Sequence, residues 1–200
     1  MIRPLIDGGN YIHFKGGLYV VVGVARNTET SEYFVLYKPM WSGNYEDIHR
    51  SYWIRPFHSF LENVELNGKK VPRFRKIMPS EFESLYAEYC DKYKNIVLNR
   101  NPTIKSECYI HFKGDMYMVL GEARHSETLD DFVVYNSAWS GNLDQPNFDY
   151  LVKPVSTFLE KFTIDGQVVP RFREVSSEEF NVLYDSYCKK HIDNNEYIDE

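Results

Sequence analysis

No apolar run in this 200-residue chain approaches the roughly 20 residues of a membrane-spanning helix. The stretch MIRPLIDGGN at the N-terminus has no signal-peptide core. Both absences lead to the expectation of a cytoplasmic protein without a membrane partner. Cysteine is scarce and odd in number, at Cys90, Cys108 and Cys188. Their positions match no metal-ligand spacing, so no metal site is expected. Cys90 and Cys188 fall inside expected helices and read as buried thiols. Catalytic signatures are missing as well: there is no P-loop, no G-x-G-x-x-G, no H-E-x-x-H, no C-x-x-C and no G-x-S-x-G. Folding could bring His13 and Glu29 together as an acid–base pair, but no spacing demands it, so no catalytic residue and no cofactor is assigned.

Positive charge is in short supply. The formal net charge is −6, divided as +2 over residues 1–98 (13 Lys+Arg against 11 Asp+Glu) and −8 over residues 99–200 (10 against 18). Affinity for a long nucleic acid comes from neutralising many phosphates, which an acidic chain does poorly. A few local cations can still hold one small anion. Aromatic residues are abundant, at 16% of the chain. Rings bury much area per residue, which suits small domains that struggle to build a core.

The hexapeptide Y-I-H-F-K-G occurs twice, at Tyr11 to Gly16 and at Tyr109 to Gly114, an offset of 109 − 11 = 98. From Tyr11 onward nearly half the positions 98 apart are identical without a gap, a strong repeat signal. We expect two domains, residues 1–98 and 99–200, the second ending in an acidic tail. Each copy reads as several short strands. The pairs Asn67-Gly68 and Asp165-Gly166 favour the positive φ of a hairpin turn. Each copy closes with a helix, at about 80–94 and 177–191. Phe82, Leu85, Tyr86, Tyr89 and Tyr93 form an apolar stripe on the first helix; Phe180, Leu183, Tyr184 and Tyr187 form it on the second. The expected fold class is α+β: two tandem, small curled β-sheet or SH3-like barrel domains, each followed by one helix.

Strand alternation assigns faces. Ile12 and Phe14 share one and read as core, leaving Tyr11, His13 and Lys15 on the other; the second copy divides likewise, with Ile110 and Phe112 as core and Tyr109, His111 and Lys113 opposite. Pro72 and Phe74 likewise oppose Arg73 and Arg75, which lie about 7 Å apart along a strand. Side chains not needed for packing should drift between copies, yet a cationic and aromatic set persists. The candidate ligand-binding residues are His13, Lys15, Arg26, Glu29, Tyr37, Trp41, Arg55, Arg73 and Arg75. Their partners are His111, Lys113, Arg124, Glu127, Tyr135, Trp139, Lys153, Arg171 and Arg173. Arg, Lys and His beside Trp and Tyr is the mixture that holds a phosphate or carboxylate next to an aromatic base. The structural alternative is an ion-pair network shared by both copies.

Y-x-H-F-K-G, A-R-H-S-E-T, R-P and V-P-R-F, in that order, resemble a family of small bacterial and phage domains catalogued as a domain of unknown function. Ala123 to Thr128 carry A-R-H-S-E-T intact, whereas the first copy has Asn27 in place of the histidine. Arg55-Pro56 carry R-P, where the second copy has Lys153-Pro154. V-P-R-F stands at Val71 to Phe74 and at Val169 to Phe172. The resemblance implies no activity. It makes the tandem arrangement a departure from the usual single domain, and suggests a site needing both copies or one copy retuned beside a supporting one. The leading expectation is a non-catalytic binding protein for a small anionic nucleotide-like ligand, such as a phage sponge for an ADP-ribose-derived or cyclic-nucleotide immune signal. The alternatives are a protein- or peptide-interaction module and, further off, a nucleotide-processing hydrolase or transferase. Homo-oligomerisation stays open.

Overall fold

The computed structural model describes residues 3–40, 52–93, 103–138 and 150–192. Repeat 1 runs β1 (Gly9–His13), β2 (Leu18–Asn27), β3 (Tyr33–Pro39), β4 (Tyr52–Pro56), α1 (Phe57–Leu61), β5 (Asn63–Leu66), β6 (Lys69–Pro72), β7 (Phe74–Lys76) and α2 (Pro79–Tyr93). Repeat 2 gives β8 (Cys108–His111), β9 (Met116–His125), β10 (Asp131–Ser137), β11 (Tyr150–Pro154), α3 (Val155–Phe158), β12 (Lys161–Ile164), β13 (Gln167–Pro170), β14 (Phe172–Val175) and α4 (Ser177–Ile192).

Local chemistry sets the turns. Y-I-H-F-K-G ends a strand and reverses the chain: Gly16 and Gly114 take φ of 89° and 100°, positions that favour glycine. Asn67-Gly68 and Asp165-Gly166 have positive φ at both residues, as a two-residue hairpin turn requires. These turns join β5 to β6 and β12 to β13 as separate two-stranded sheets. In repeat 2, Ser176 Oγ accepts from the Glu179 N–H at 3.1 Å and caps α4.

Within repeat 1 the strand pairings run β7–β1–β2–β3–β4, all antiparallel. Among the described residues these pairings do not close within the repeat, because β4 does not pair back onto β7, and by themselves they do not show the expected SH3-like barrel. Closure lies between the repeats instead. β4 pairs in parallel with β9, and β11 pairs in parallel with β2. With β2–β3–β4 and β9–β10–β11, this makes a closed ring of six strands, three from each repeat. The two long strands manage it by bending. β2 has an irregularity between Val21 and Gly23, and the β9–β10 ladder has one where β9 passes from Gly121 to Val119. The first part of each strand then serves its own repeat, and the last residues reach the other. At this bend the Tyr150 ring packs closely over Gly23: a Cβ there would lie 3.2 Å from it, so the ring would have to shift by a few tenths of an ångström to admit a side chain.

Ala25, Phe34, Leu36, Tyr52, Ile54, Ala123, Phe132, Val134 and Val152 form one shared cluster drawn from all six ring strands. Each repeat also has its own core. Phe60 stacks on Phe74 at 4.1 Å, and Phe158 on Phe172 at 4.2 Å. Tyr11, Val21, Val35 and Tyr37 surround the first pair, and Tyr109, Val119, Val133 and Tyr135 the second. Outside β1 lies α2, whose Phe82, Leu85, Tyr86 and Tyr89 pack with Ile12, Leu18 and Ile77. Both faces of β1 are therefore covered. That overturns the outward placement of Tyr11 and Tyr109, each only 7% exposed. Alternation distinguishes two faces of a strand, but it does not say that one of them is wet. Cys90 and Cys188 lie outside the described side chains.

Candidate functional site

Most of the expected ligand-holding cations already have a carboxylate. Arg75 makes a two-pronged pair with Glu81 at 3.0 and 2.5 Å, and Arg173 repeats it with Glu179 at 3.1 and 2.7 Å. Arg73 pairs with Glu62, and Arg171 with Glu160. Arg124 Nε meets Asp131 at 3.2 Å, while Arg26 donates to the Ser31 hydroxyl at 2.9 Å. The shared ion-pair network is thus a large part of why these residues recur.

Four others join the repeats. Arg55 donates to Glu127 at 2.7 Å and to Ser59 at 2.9 Å, and the Ser59 hydroxyl reaches Glu127 at 2.6 Å. On the opposite side of the ring Lys153 pairs with Glu29. Arg55 and Lys153 side chains are 12% and 7% exposed. The hydrogen bond from Lys153 holds the Glu29 carboxyl below its usual range. For Glu127 the Ser59 hydroxyl acts first, with Arg55 adding to it. Beside them Tyr135 OH lies 3.2 Å from Thr28 Oγ1 of repeat 1, and burial pushes the phenol up to about 12. Burial also raises Tyr37. At 3% and 2% exposure Tyr37 and Tyr135 cannot stack an incoming base, so their expected role is withdrawn. Trp41 and Trp139 lie outside the described residues.

The histidines stand differently. The His13 ring packs between Phe14 at 4.4 Å and Phe74 at 4.8 Å, and His111 sits likewise against Phe112 and Phe172. Each Nδ1 faces the backbone N–H two residues on, at 3.3 and 3.4 Å. Burial, then the charges of Arg55, Arg73 and Lys15, lower His13 to about 4. His111 is lowered mainly by burial, with Asp115 opposing. Every charge acting on His13 is a cation, and Glu29 is engaged by Lys153. The acid–base pairing of His13 with Glu29 is not formed.

These histidines line a recess present in both repeats. In repeat 1 it lies among Ile12, His13, Phe14, Leu66, Val71 and Arg75, with a volume of ≈ 310 Å³. In repeat 2 the corresponding Ile110, His111, Phe112, Ile164, Val169 and Arg173 are joined by Asp165 and Gln167, and the volume is ≈ 580 Å³. The walls are the Y-I-H-F-K-G turn and the following hairpin. Lys15 and Lys113 stand at the turn, with Nζ 5.6 and 5.7 Å from the Phe14 and Phe112 ring centres. Sequence reasoning placed Phe14 and Phe112 in the core. The strands end at His13 and His111, so alternation no longer governs the next residue; Phe112 is 37% exposed. The hairpin residues were missed because nothing in their spacing ties them to a turn some fifty residues earlier. Among the described residues no group of three metal-ligating side chains converges, and no helix is long and apolar enough to cross a membrane.

A duplicated α+β protein, with its repeats locked by a shared ring and a recess at the same place in each, is the class that these features define. The family described as "Protein of unknown function (DUF1653)" matches the chain twice, over residues 9–76 and 107–174. The chain belongs to that family as a tandem duplication, with both recesses inside the matched ranges and α2 and α4 outside them. A crystal structure of a DUF1653 protein from Bordetella bronchiseptica is similar at 27% identity, covering 37% of this chain and 90% of its own, with a TM-score of 0.32. Among curated proteins none matches.

Proposed function

We propose that the protein is a non-catalytic binder that holds a small anionic, nucleotide-like ligand in the recess at the Y-I-H-F-K-G turn, and acts by sequestering it. The observation that carries this reading is the recurrence, 98 residues apart, of one apolar recess with a neutral histidine inside and an arginine at its edge. An apolar floor with a few placed polar groups is the usual build of a small-molecule site. Lys15 and Lys113 supply cations without a carboxylate partner among the described residues. In repeat 1 Glu29 is taken by Lys153 and does not pair with His13, which favours holding over converting there.

A thermal-shift panel of nucleotides, dinucleotides and ADP-ribose derivatives tests this. A bound ligand stabilises by about 2.7 kcal/mol at a hundred times its Kd, and mass spectrometry should recover it unchanged. A silent panel overturns the reading; a product of altered mass makes the protein an enzyme. A second reading draws on exposed apolar side chains on the hairpins, Leu66, Ile164 and Val168: a peptide of a partner protein lies along them. Library-selected peptides whose binding is lost in Val168→Ser would favour it.

A further inference from the structure

The two recesses are not equivalent. In repeat 2 the Phe112 ring lies 5.0 Å from Phe162 at an interplanar angle of 46°, and the Arg171 guanidinium covers Phe162 at 4.6 Å. Repeat 1 has Val64 where repeat 2 has Phe162, so this tilted ring contact cannot form there. Arg171 is itself held by Glu160, which fixes the contact from behind. The rims differ as well. Repeat 1 carries Asn67 and Lys69 where repeat 2 has Asp165 and Gln167, and only the latter two line their recess. Neither the Asp165 carboxylate nor the Gln167 amide has a hydrogen-bond partner among the described residues.

We propose that the repeat 2 recess is the ligand site proper and that it takes a purine nucleoside phosphate, whose base lies on the Phe112 ring, a shelf that Phe162 supports. This rests on the binding reading above and narrows it to one repeat and one ligand class. A planar ring suits the exposed face of Phe112, since aromatic side chains stack any base through its π-face. The free acceptors of Asp165 and Gln167 meet N–H groups on the edge of the base, a pattern that a ring without donors leaves unpaired. Lys113, whose Nζ stands 5.7 Å from the Phe112 ring centre, meets the phosphate, while Arg173 stays paired with Glu179 at the recess edge. The smaller, valine-backed recess of repeat 1 lacks both the shelf and the acceptors.

Titration calorimetry and amide NMR on the full chain, with AMP and GMP as probes, test this. Adenosine is the probe without an anion, and ribose 5-phosphate the probe without a ring. The expected result is one dominant site, with amide shifts around Phe112 and Asp165. Both truncated probes should bind at least about tenfold more weakly. Phe162→Val should lower affinity about 10- to 100-fold. Gln167→Ala, at an exposed hairpin position, should weaken binding without changing stability. Equal filling of both recesses, or AMP and GMP affinity untouched by both variants, overturns the assignment to repeat 2 while leaving a binding protein. Binding of other panel members but not of AMP or GMP overturns the purine class alone. Silence across every probe overturns the binding reading itself.

Discussion

Arg55 meets Glu127 on one side of the six-strand ring, and Lys153 meets Glu29 on the other. The two pairs are related by the repeat, and each crosses it. In the first, one guanidinium nitrogen holds both Glu127 and Ser59, whereas the second is a single ammonium on a single carboxylate. The recesses differ far more: one repeat has Val64, Asn67 and Lys69 where the other has Phe162, Asp165 and Gln167. Where the repeats meet, each substitution keeps the charge, because each buried cation must face a carboxylate from the partner repeat. Where they open to solvent, nothing in the fold demands sameness, so fusion in one chain allows one recess to change without the other.

The largest expected effect tests whether the ring is one core. Ile54 and Val152 are equivalent positions, both fully buried. Ile54→Ala should cost about 2–5 kcal/mol, and Val152→Ala about two-thirds of that, since it removes two carbons rather than three. Urea denaturation should still show one transition with both repeats unfolding together. Two separated transitions would break the picture of a shared ring.

Next in size comes the junction. Arg55→Met leaves Glu127 and Ser59 with only each other and should cost about 1–3 kcal/mol. Lys153→Met should cost less, because only Glu29 is left behind. Arg55→Lys makes the first corner like the second and should recover most of the loss. If Arg55→Lys is as damaging as Arg55→Met, charge is not what the corner conserves.

The histidines sharpen the comparison through pH. His13 is lowered to about 4 from an ordinary 6.5, so between these values the unfolded chain binds more protons than the folded one. Stability carried by neutral His13 is complete above about 6.5 and is lost as pH falls toward 4. Glu29 and Glu127, depressed in the folded state, add a loss that begins near their ordinary values and continues below them. The melting temperature should fall on acidification through pH 6. His13→Gln should flatten that slope more than His111→Gln, since only His13 sits among cations alone. Equal flattening would mean that burial, the largest cause at both histidines, sets the shift and that Arg55 and Arg73 add little to it.

Much of this was legible in the sequence. The offset of Y-I-H-F-K-G revealed two repeats, and Asn67-Gly68 and Asp165-Gly166 revealed the hairpins. The stripe of Phe82, Leu85, Tyr86 and Tyr89 read correctly as packing. The exchange of Asn27 for His125 also has a local reason: Asn27 Oδ1 accepts from the Glu29 N–H at 2.9 Å, and His125 Nδ1 accepts from the Thr128 N–H at 3.0 Å. Either residue closes that turn. The sequence did not disclose that β4 would pair with β9 and β11 with β2, because parallel partners from different repeats leave no local spacing. For the same reason it could not show that Glu29 serves Lys153 rather than His13. Tyr37 and Tyr135 were misplaced for a second reason: persistence in both copies is as compatible with a shared core as with a shared ligand.

The smallest expected effect separates charge pairing from simple surface contact. Arg26 and Arg124 are equivalent, but Arg26 meets a hydroxyl and Arg124 a carboxylate, the latter pair about 40% exposed on both sides. Arg26→Ala should change stability by no more than about 0.5 kcal/mol, and Arg124→Ala by up to about 1 kcal/mol. Only the second should shrink as salt rises, because Debye screening acts on exposed charges and leaves a hydroxyl contact alone. Thermal melts at low and high ionic strength read this directly. A salt-dependent loss in Arg26→Ala would show that Arg26 feels the acidic charge of the chain at longer range. The cationic set kept by the two copies would then be tuned to the field of the whole protein as well as to its nearest partners.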